Sequence, residues 1–272
     1  MYRPEVLAAW GLPMLMWGLF IVALIMVMVG ITSIIRRQWL EGEHLACPLV
    51  VLPVEIASAR PRLFTQKLFW LGFGLAAALD IYNSFAFLYP ALPKIPIEHV
   101  DMGKYFTNPP FNAIGWFPRS FYPFMIGMGY MMPSDFLFSC WFFYLFWKAE
   151  VIMSSAVGWS KIPQFPFANY QCFGAYMLFG LHALWMGRSY LYRLWRRLQR
   201  APDGLQERNE ALSYPVAVGL AGVGFVFLVS FSAALKLPVW LGVVFFLIYF
   251  GLALAITRMR AQFGAPVHDL HF

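Results

Sequence analysis

The residues best suited to chemistry in this 272-residue chain are a handful of polar groups set inside long apolar runs. Asp80 and Asn83 are three residues apart and so share a helix face. A carboxylate and an amide on one face can hold a cation, a proton or a substrate amine, or can fasten two helices by a hydrogen bond. Pro133, Ser134 and Asp135 interrupt an apolar stretch that extends from Phe121 to Trp147. A helix broken there leaves backbone N–H and C=O groups without intrahelical partners. A bilayer tolerates these only against protein or a water-filled cavity, and transporters use such helix ends to hold ions and substrates. Asp135 also suits the N-cap of the arm that follows, a role compatible with solute contact. His182 lies near the middle of another apolar run, where a lone histidine can relay protons, ligate a haem or, more commonly, hydrogen-bond within the packing. Asp80, Asn83, Pro133, Ser134, Asp135 and His182 are therefore the expected lining of a substrate or ion pathway.

The remaining ionisable groups point to less. Lys148 and Glu150 are two residues apart, off a common helix face, and read as rim residues whose charged ends reach the interface. His268 and His271 flank Asp269 close to residue 272, where nothing fixes a metal geometry, so no metal site is expected. Cys47, Cys140 and Cys172 are widely spaced, form no CxxC pair and read as small buried apolar residues. There is no Walker A sequence, no GxGxxG, no HExxH and no GxSxG. A nucleotide-driven pump, a dinucleotide enzyme, a zinc protease and an α/β-hydrolase are unsupported. The sequence predicts no catalytic residue, no cofactor and no enzyme.

The elements that must position these groups follow from composition. Hydrophobic residues make up 61% of the chain and charged residues 12%, with a mean hydropathy of +0.63. Soluble domains carry roughly 45–50% apolar and about 25% charged residues, so a water-soluble globule is excluded. With 28 Phe, 11 Trp and 13 Tyr, disorder is excluded as well. Apolar runs of about 20 residues can each cross a hydrocarbon core of roughly 30 Å as a helix. The expectation is an all-α, polytopic transmembrane bundle forming one membrane domain over 1–272. It has about five full spans, at about 12–35, 68–88, 170–191, 215–235 and 238–257. The stretch 121–147 adds one re-entrant or broken hairpin, in two arms of about 12 residues that are each too short to cross alone. Leu45 to Ile56 is also too short to span and belongs at the interface or between helices. The loop from Tyr89 to Arg119, rich in proline and aromatics, is expected to pack as a cap. Gly219, Gly222 and Gly224 signal close helix packing, as do Gly127 and Gly129.

Charge sets the threading. The net charge of +7 resides in short loops, a membrane-orientation signal with no nucleic-acid face behind it. If 121–147 enters and leaves on one side, thirteen of the 20 Lys and Arg fall on one side of the membrane and seven on the other. The richer side then holds Arg36, Arg37, Arg193, Arg196, Arg197 and Arg200. The positive-inside rule makes that side cytoplasmic, with the N-terminus outside and the C-terminus inside the inner (plasma) membrane.

Several motifs resemble a bacterial multi-pass membrane family of unknown function. They are Arg36-Arg37-Gln38-Trp39, Leu45-Ala46-Cys47-Pro48-Leu49-Val50, Leu52-Pro53-Val54-Glu55 and Lys67-Leu68-Phe69-Trp70-Leu71-Gly72-Phe73. Tyr122-Pro123 with Ile126-Gly127, Met132-Pro133 with Asp135, Trp141-Phe142-Phe143-Tyr144, Gln171, Gly174-Ala175-Tyr176 and Pro266-Val267-His268-Asp269-Leu270 extend the likeness over nearly the whole chain. That family is distantly similar to oligopeptide transporters, which implies secondary transport of a small polar solute such as a peptide. Members compared with this chain have further apolar segments on both sides of it, so it resembles a middle portion of a longer protein. The expected partners are the lipid bilayer, a small-molecule or peptide substrate and other membrane subunits. The competing reading is a non-transporting scaffold or subunit of a larger complex.

Overall fold

The computed structural model of the protein describes residues 4–45, 47–58, 63–199 and 212–264, and these are mostly helical. The helices are α1 (Pro4–Arg37), α2 (Pro48–Ala57), α3 (Lys67–Leu88), α4 (Pro123–Met131), α5 (Ser134–Val157), α6 (Ala168–Met186), α7 (Arg188–Leu198), α8 (Tyr214–Ala234) and α9 (Val239–Phe263). Among the described residues five are long and apolar enough to cross a bilayer: α1 with the π-helical turn after it, α3, α5, α8 and α9. The shortest, α8, has 21 residues, or about 31 Å at 1.5 Å per residue. Their surfaces carry Leu68, Phe87, Phe143 and Trp240 at 60 to 80% exposure, a surface that only an apolar solvent stabilises. The protein is a multi-pass helical membrane protein.

Two spans differ from the sequence expectation. The second arm of the broken stretch does not stop at Trp147. Nothing between Lys148 and Val157 breaks a helix, so α5 runs on to Gly158, which takes φ +83° and donates its N–H to the Ser154 and Ser155 carbonyls. At 24 residues α5 is long enough to span by itself. Only α4, with nine residues, is a short arm. The run 170–191, by contrast, is not one apolar span. α6 ends at Met186, Gly187 forms a turn, and α7 begins at Arg188. With Asn169, Gln171 and His182 in its 19 residues, α6 is less apolar than the other five long helices. The stretch Leu45 to Ile56 is mostly the ten-residue α2, Pro48–Ala57, which is apolar but short.

The chain forms two compact units. The first comprises Met1–Leu45 and Gly174–Arg258. Its core packs Ala23 and Val27 of α1 with Leu228 and Val229 of α8 and Phe246 and Phe250 of α9. Small residues permit the closest approach. A Cβ on Gly30 would lie 2.6 Å from the Ala217 carbonyl oxygen and 2.9 Å from Ala221 Cβ. One on Gly224 would lie 2.8 Å from both the Ala23 carbonyl oxygen and Val27 Cγ2. Of the three α8 glycines singled out in the sequence, only Gly224 does this. Gly219 and Gly222 are exposed with nothing within 4 Å, because they lie on the opposite side of the helix from Ala217, Gly224 and Leu228. Gly127 also faces open space, and Gly129 meets only Leu137 of the next helix.

The second unit comprises Ala46–Phe173 and Met259–Phe272. Its centre is the segment between α3 and α4. There a two-residue ribbon, β1 (Val100–Asp101) and β2 (Pro118–Arg119), pairs antiparallel with Val100 opposite Arg119. Single 3₁₀ turns at Gly103–Tyr105 and Phe111–Ile114 lie between the strands. At the start of α5, Phe136 stacks on Phe263 with ring centroids 4.6 Å apart.

The α1–α8 contact predicts a graded result. Gly224→Ala forces the two helices apart and costs about 1–3 kcal/mol, and Gly224→Val costs more, whereas Gly219→Ala leaves stability unchanged. Thermal unfolding of the detergent-solubilised protein reads all three.

Candidate functional site

The most constrained polar site lies in the second unit, where the α3–α4 segment is bonded to two helices. Asn83, 8% exposed, projects from α3 and pairs both ways with one backbone residue. Its Nδ2 donates to the Ile95 carbonyl at 3.1 Å and its Oδ1 accepts from the Ile95 N–H at 3.0 Å. The Tyr82 hydroxyl, one residue earlier, donates to the Pro93 carbonyl at 2.9 Å. Asp80 stands one turn back on the same helix and is exposed. Asn83 thus fastens α3 to the backbone of the following loop and not to a second helix, and Asp80 is left exposed.

Lys148 of α5 supplies the second attachment. The sequence placed it on the rim with its charge in water. It is instead 6% exposed. Its ammonium donates to the carbonyls of Ile114 at 2.9 Å and Trp116 at 2.6 Å. It also sits 4.4 Å from the centroid of the Trp147 ring and 5.7 Å from that of Tyr144. A lysine desolvated to this degree needs such partners. Two charge-assisted hydrogen bonds and an aromatic face replace the water it has lost. Tyr144 stacks on Phe117 at 5.8 Å with the rings nearly parallel, and its buried hydroxyl has no partner among the described residues.

Asp101 organises the loop itself. Its Oδ1 accepts from the N–H of Gly103 at 2.8 Å and of Phe117 at 3.0 Å. The Phe117 and Gly103 amides, in that order, hold its carboxyl below the usual carboxylate range. Gly103 is required by sterics, since a Cβ there would fall 1.9 Å from the Gly115 carbonyl oxygen. Asp101 was not singled out in the sequence, and Lys148 was read there only as a rim charge. The signals were present as an Asp two residues before a Gly and a lysine closing an aromatic run.

The break between α4 and α5 brings Pro133, Ser134 and Asp135 together as the sequence implied. All three are exposed. Pro133 is the N-cap residue, and no side chain caps the helix. Asp135 is thus not the cap. It sits in the first turn of α5, where its charge still meets the positive end of the helix. The Pro133 carbonyl accepts from Phe136 and Leu137, and the N–H groups of Ser134 and Asp135 have no backbone acceptor among the described residues. No hydrogen bond or ion pair among the described residues joins this tip to Asp80 or Asn83. His182 belongs to the other unit and is exposed on α6.

In the first unit a polar cluster closes the ends of α1, α7, α8 and α9. Tyr190, 4% exposed, donates to the Ile34 carbonyl at 2.9 Å, and its oxygen lies 3.2 Å from that of the fully buried Tyr214. Arg37 hydrogen-bonds Tyr214 and pairs with Glu41 at 2.8 Å. After α1 the backbone makes the π-helical turn Gln38–Gly42, an irregularity found often at functional sites. Glu43 then accepts from Gln38 Nε2 at 3.2 Å and from Arg258 Nη2. Arg258 is 6% exposed, its guanidinium lies 5.6 Å from the centroid of the Trp39 ring, and its Nη1 has no acceptor among the described residues. This buried pair was not visible in the sequence, since its members are 215 positions apart.

Among the described residues no group of three or more His, Cys, Asp or Glu could hold a metal. His268, His271 and Asp269 lie outside the described residues. Cys140 and Cys172 are exposed and Cys47 is half-buried. They are not the buried residues expected, because a thiol is apolar enough to face lipid.

The loop attachment gives a mutational and a pH expectation. Lys148→Met strands two carbonyls and costs about 2–4 kcal/mol in docking of residues 89–119, seen as faster amide exchange there. Asp101 has a folded pKa below its unfolded value near 4, so its contribution is complete at neutral pH and is lost as pH falls through the lowered value. Protection of the Gly103 and Phe117 amides is therefore flat from pH 7 to about pH 5 and drops only in stronger acid, while Asp101→Asn lowers it across that flat range and removes the drop in acid.

No curated protein and no solved structure matches this chain. One family does, over residues 1–272, and on that match the chain belongs to the family of unknown function DUF6785.

Proposed function

We propose that the protein is a secondary transporter, or part of one, for a small polar solute such as a peptide, and that it performs no enzymatic reaction. The observation that carries this reading is the broken apolar segment. α4 is too short to cross, α5 is long enough, and between them the chain presents an uncapped helix start with the exposed side chains of Ser134 and Asp135 and two backbone N–H groups that have no backbone acceptor among the described residues. Such an end attracts negative charge and offers donors to a solute. Asp135 supplies a carboxylate beside it for a proton or a substrate amine. Asp80 offers a second accessible carboxylate on α3. Orientation with the N-terminus outside and the C-terminus in the cytoplasm of the inner membrane belongs to the same proposal and rests on the distribution of Lys and Arg.

A second reading, a membrane subunit that scaffolds a larger complex, is favoured by one observation. Only 6% of the apolar window of α5 and 11% of that of α3 is buried within the chain. Both helices have room for protein neighbours. Purification in mild detergent that returns only a lone, monodisperse chain counts against it.

The transport reading is tested by reconstituting the full-length protein and following labelled di- and tripeptides under an imposed proton gradient. Wild type accumulates label above protein-free vesicles, and Asp135→Asn lowers the initial rate at least about tenfold, the effect of losing about 1.4 kcal/mol of interaction. Absence of uptake by wild type, or equal uptake by the variant, rejects the pathway.

A further inference from the structure

α7 differs from every other helix in the protein. Its eleven residues, Arg-Ser-Tyr-Leu-Tyr-Arg-Leu-Trp-Arg-Arg-Leu, include four arginines and no acid. Successive residues turn by about 100° around a helix, which sorts them cleanly. Tyr190 and Leu194 are buried, and Leu191, Arg197 and Leu198 are half-buried beside them. The outer side carries Arg188, Tyr192, Arg193, Trp195 and Arg196, all exposed.

The two faces do different work. The inner face is fixed, since Tyr190 bonds the Ile34 carbonyl and Arg197 lies 5.6 Å from the centroid of the Tyr214 ring. Among the described residues the outer face has no charged counterpart. Arg188 is held by stacking on Trp185 at 4.7 Å and by donating to that residue's carbonyl at 3.2 Å. Arg193 and Arg196 have no acceptor among the described residues. The nearby acids Glu41 and Glu43 are engaged by Arg37 and Arg258. Tyr192 and Trp195 stand between the arginines at 64% and 59% exposure. α7 directly continues α6 through the single residue Gly187.

We propose that the outer face of α7 is a docking surface for anionic phospholipid headgroups. Arginine recognises phosphate oxygens in bidentate fashion. Tyr and Trp place their rings at the headgroup level with a polar edge toward water. A run of basic residues next to the bilayer is drawn to an anionic leaflet. The charge complementarity is one-sided, because α7 presents cations without a single competing carboxylate of its own. The arginines thus bind lipid in addition to biasing orientation, and this holds whether or not the protein transports a solute.

The test uses the full-length protein in non-ionic detergent, with native mass spectrometry counting retained lipid after titration with phosphatidylglycerol or phosphatidylcholine. Wild type retains phosphatidylglycerol preferentially, and retention weakens as salt rises. Arg193→Gln with Arg196→Gln lowers the apparent affinity about twenty- to thirtyfold, the loss expected of two arginines close to an anionic surface. Lys161→Gln, an exposed cation elsewhere, leaves it unchanged. Thermal unfolding without added lipid establishes that the double variant folds as wild type does. Equal retention of the two lipids by wild type overturns the proposal. So does an unchanged affinity in the double variant, the result expected if Asp203, Glu207 or Glu210, beyond α7 in the sequence, already neutralise these arginines. Displacement by inorganic phosphate at concentrations comparable to the lipid makes this an inorganic-anion site and likewise overturns it.

Discussion

Inside a bilayer there is no water to satisfy a polar group, and the arrangement of this protein follows from that constraint. Each buried charge or amide found here meets a carbonyl, a carboxylate or an aromatic face where a helix gives way to irregular backbone. Lys148 bonds two carbonyls of the α3–α4 segment, Asn83 closes both backbone groups of Ile95, and Tyr190 meets the last turn of α1. Arg258 and Glu43 close another such end, with Trp39 beneath the guanidinium. The polar residues are therefore few and consequential. A charge that would be nearly neutral for stability on a soluble surface becomes, at these positions, the attachment of an entire loop.

The same absence of water removes the ordinary reason for helices to associate, since lipid tails are as apolar as the side chains they would exchange for. Close backbone approach takes over. α1 meets α8 through Gly30, Ala217, Ala221 and Gly224, and α6 meets α9 where a Cβ on Gly180 would lie 3.1 Å from the Gly251 carbonyl oxygen. The large aromatic residues then fill the space around those contacts. Phe20, Phe225, Phe231, Phe246 and Phe250 make edge-on, tilted and stacked pairs with centroids 5.3 to 6.5 Å apart. Elsewhere the aromatics remain on the surface, which is why so aromatic a chain buries few of its rings.

Two features depart from this economy. The α4–α5 junction leaves a helix start uncapped, and α7 carries an arginine-rich face that is exposed among the described residues. Both expose groups that a purely structural helix would satisfy internally, and their chemistry is complementary. An uncapped start beside a carboxylate suits a small polar solute, and a basic aromatic face suits the anionic layer of the membrane. Membership of a family whose function is unknown leaves both readings resting on the residues themselves.

The sequence by itself determined the class of the protein and most of its helices, because apolar run length and helix breakers act locally. Pro133 marks a break that the structure keeps, whereas the break at Gly187, inside the expected span 170–191, came only with the structure. The sequence also determined that Pro133, Ser134 and Asp135 lie together, since they are adjacent. What only the tertiary structure decided was the partner of each polar residue. Lys148 reads as a rim charge until Ile114 and Trp116, more than 30 positions away, fold against it. Glu43 and Arg258 are unremarkable until two distant helix ends meet. The extent of α5 and the subdued apolarity of α6 fell between these cases, because a helix's end depends on its cap and its neighbours as well as on its own residues. Local periodicity is written in neighbouring residues, whereas the satisfaction of a buried charge depends on backbone groups that only the folded chain brings within 3 Å.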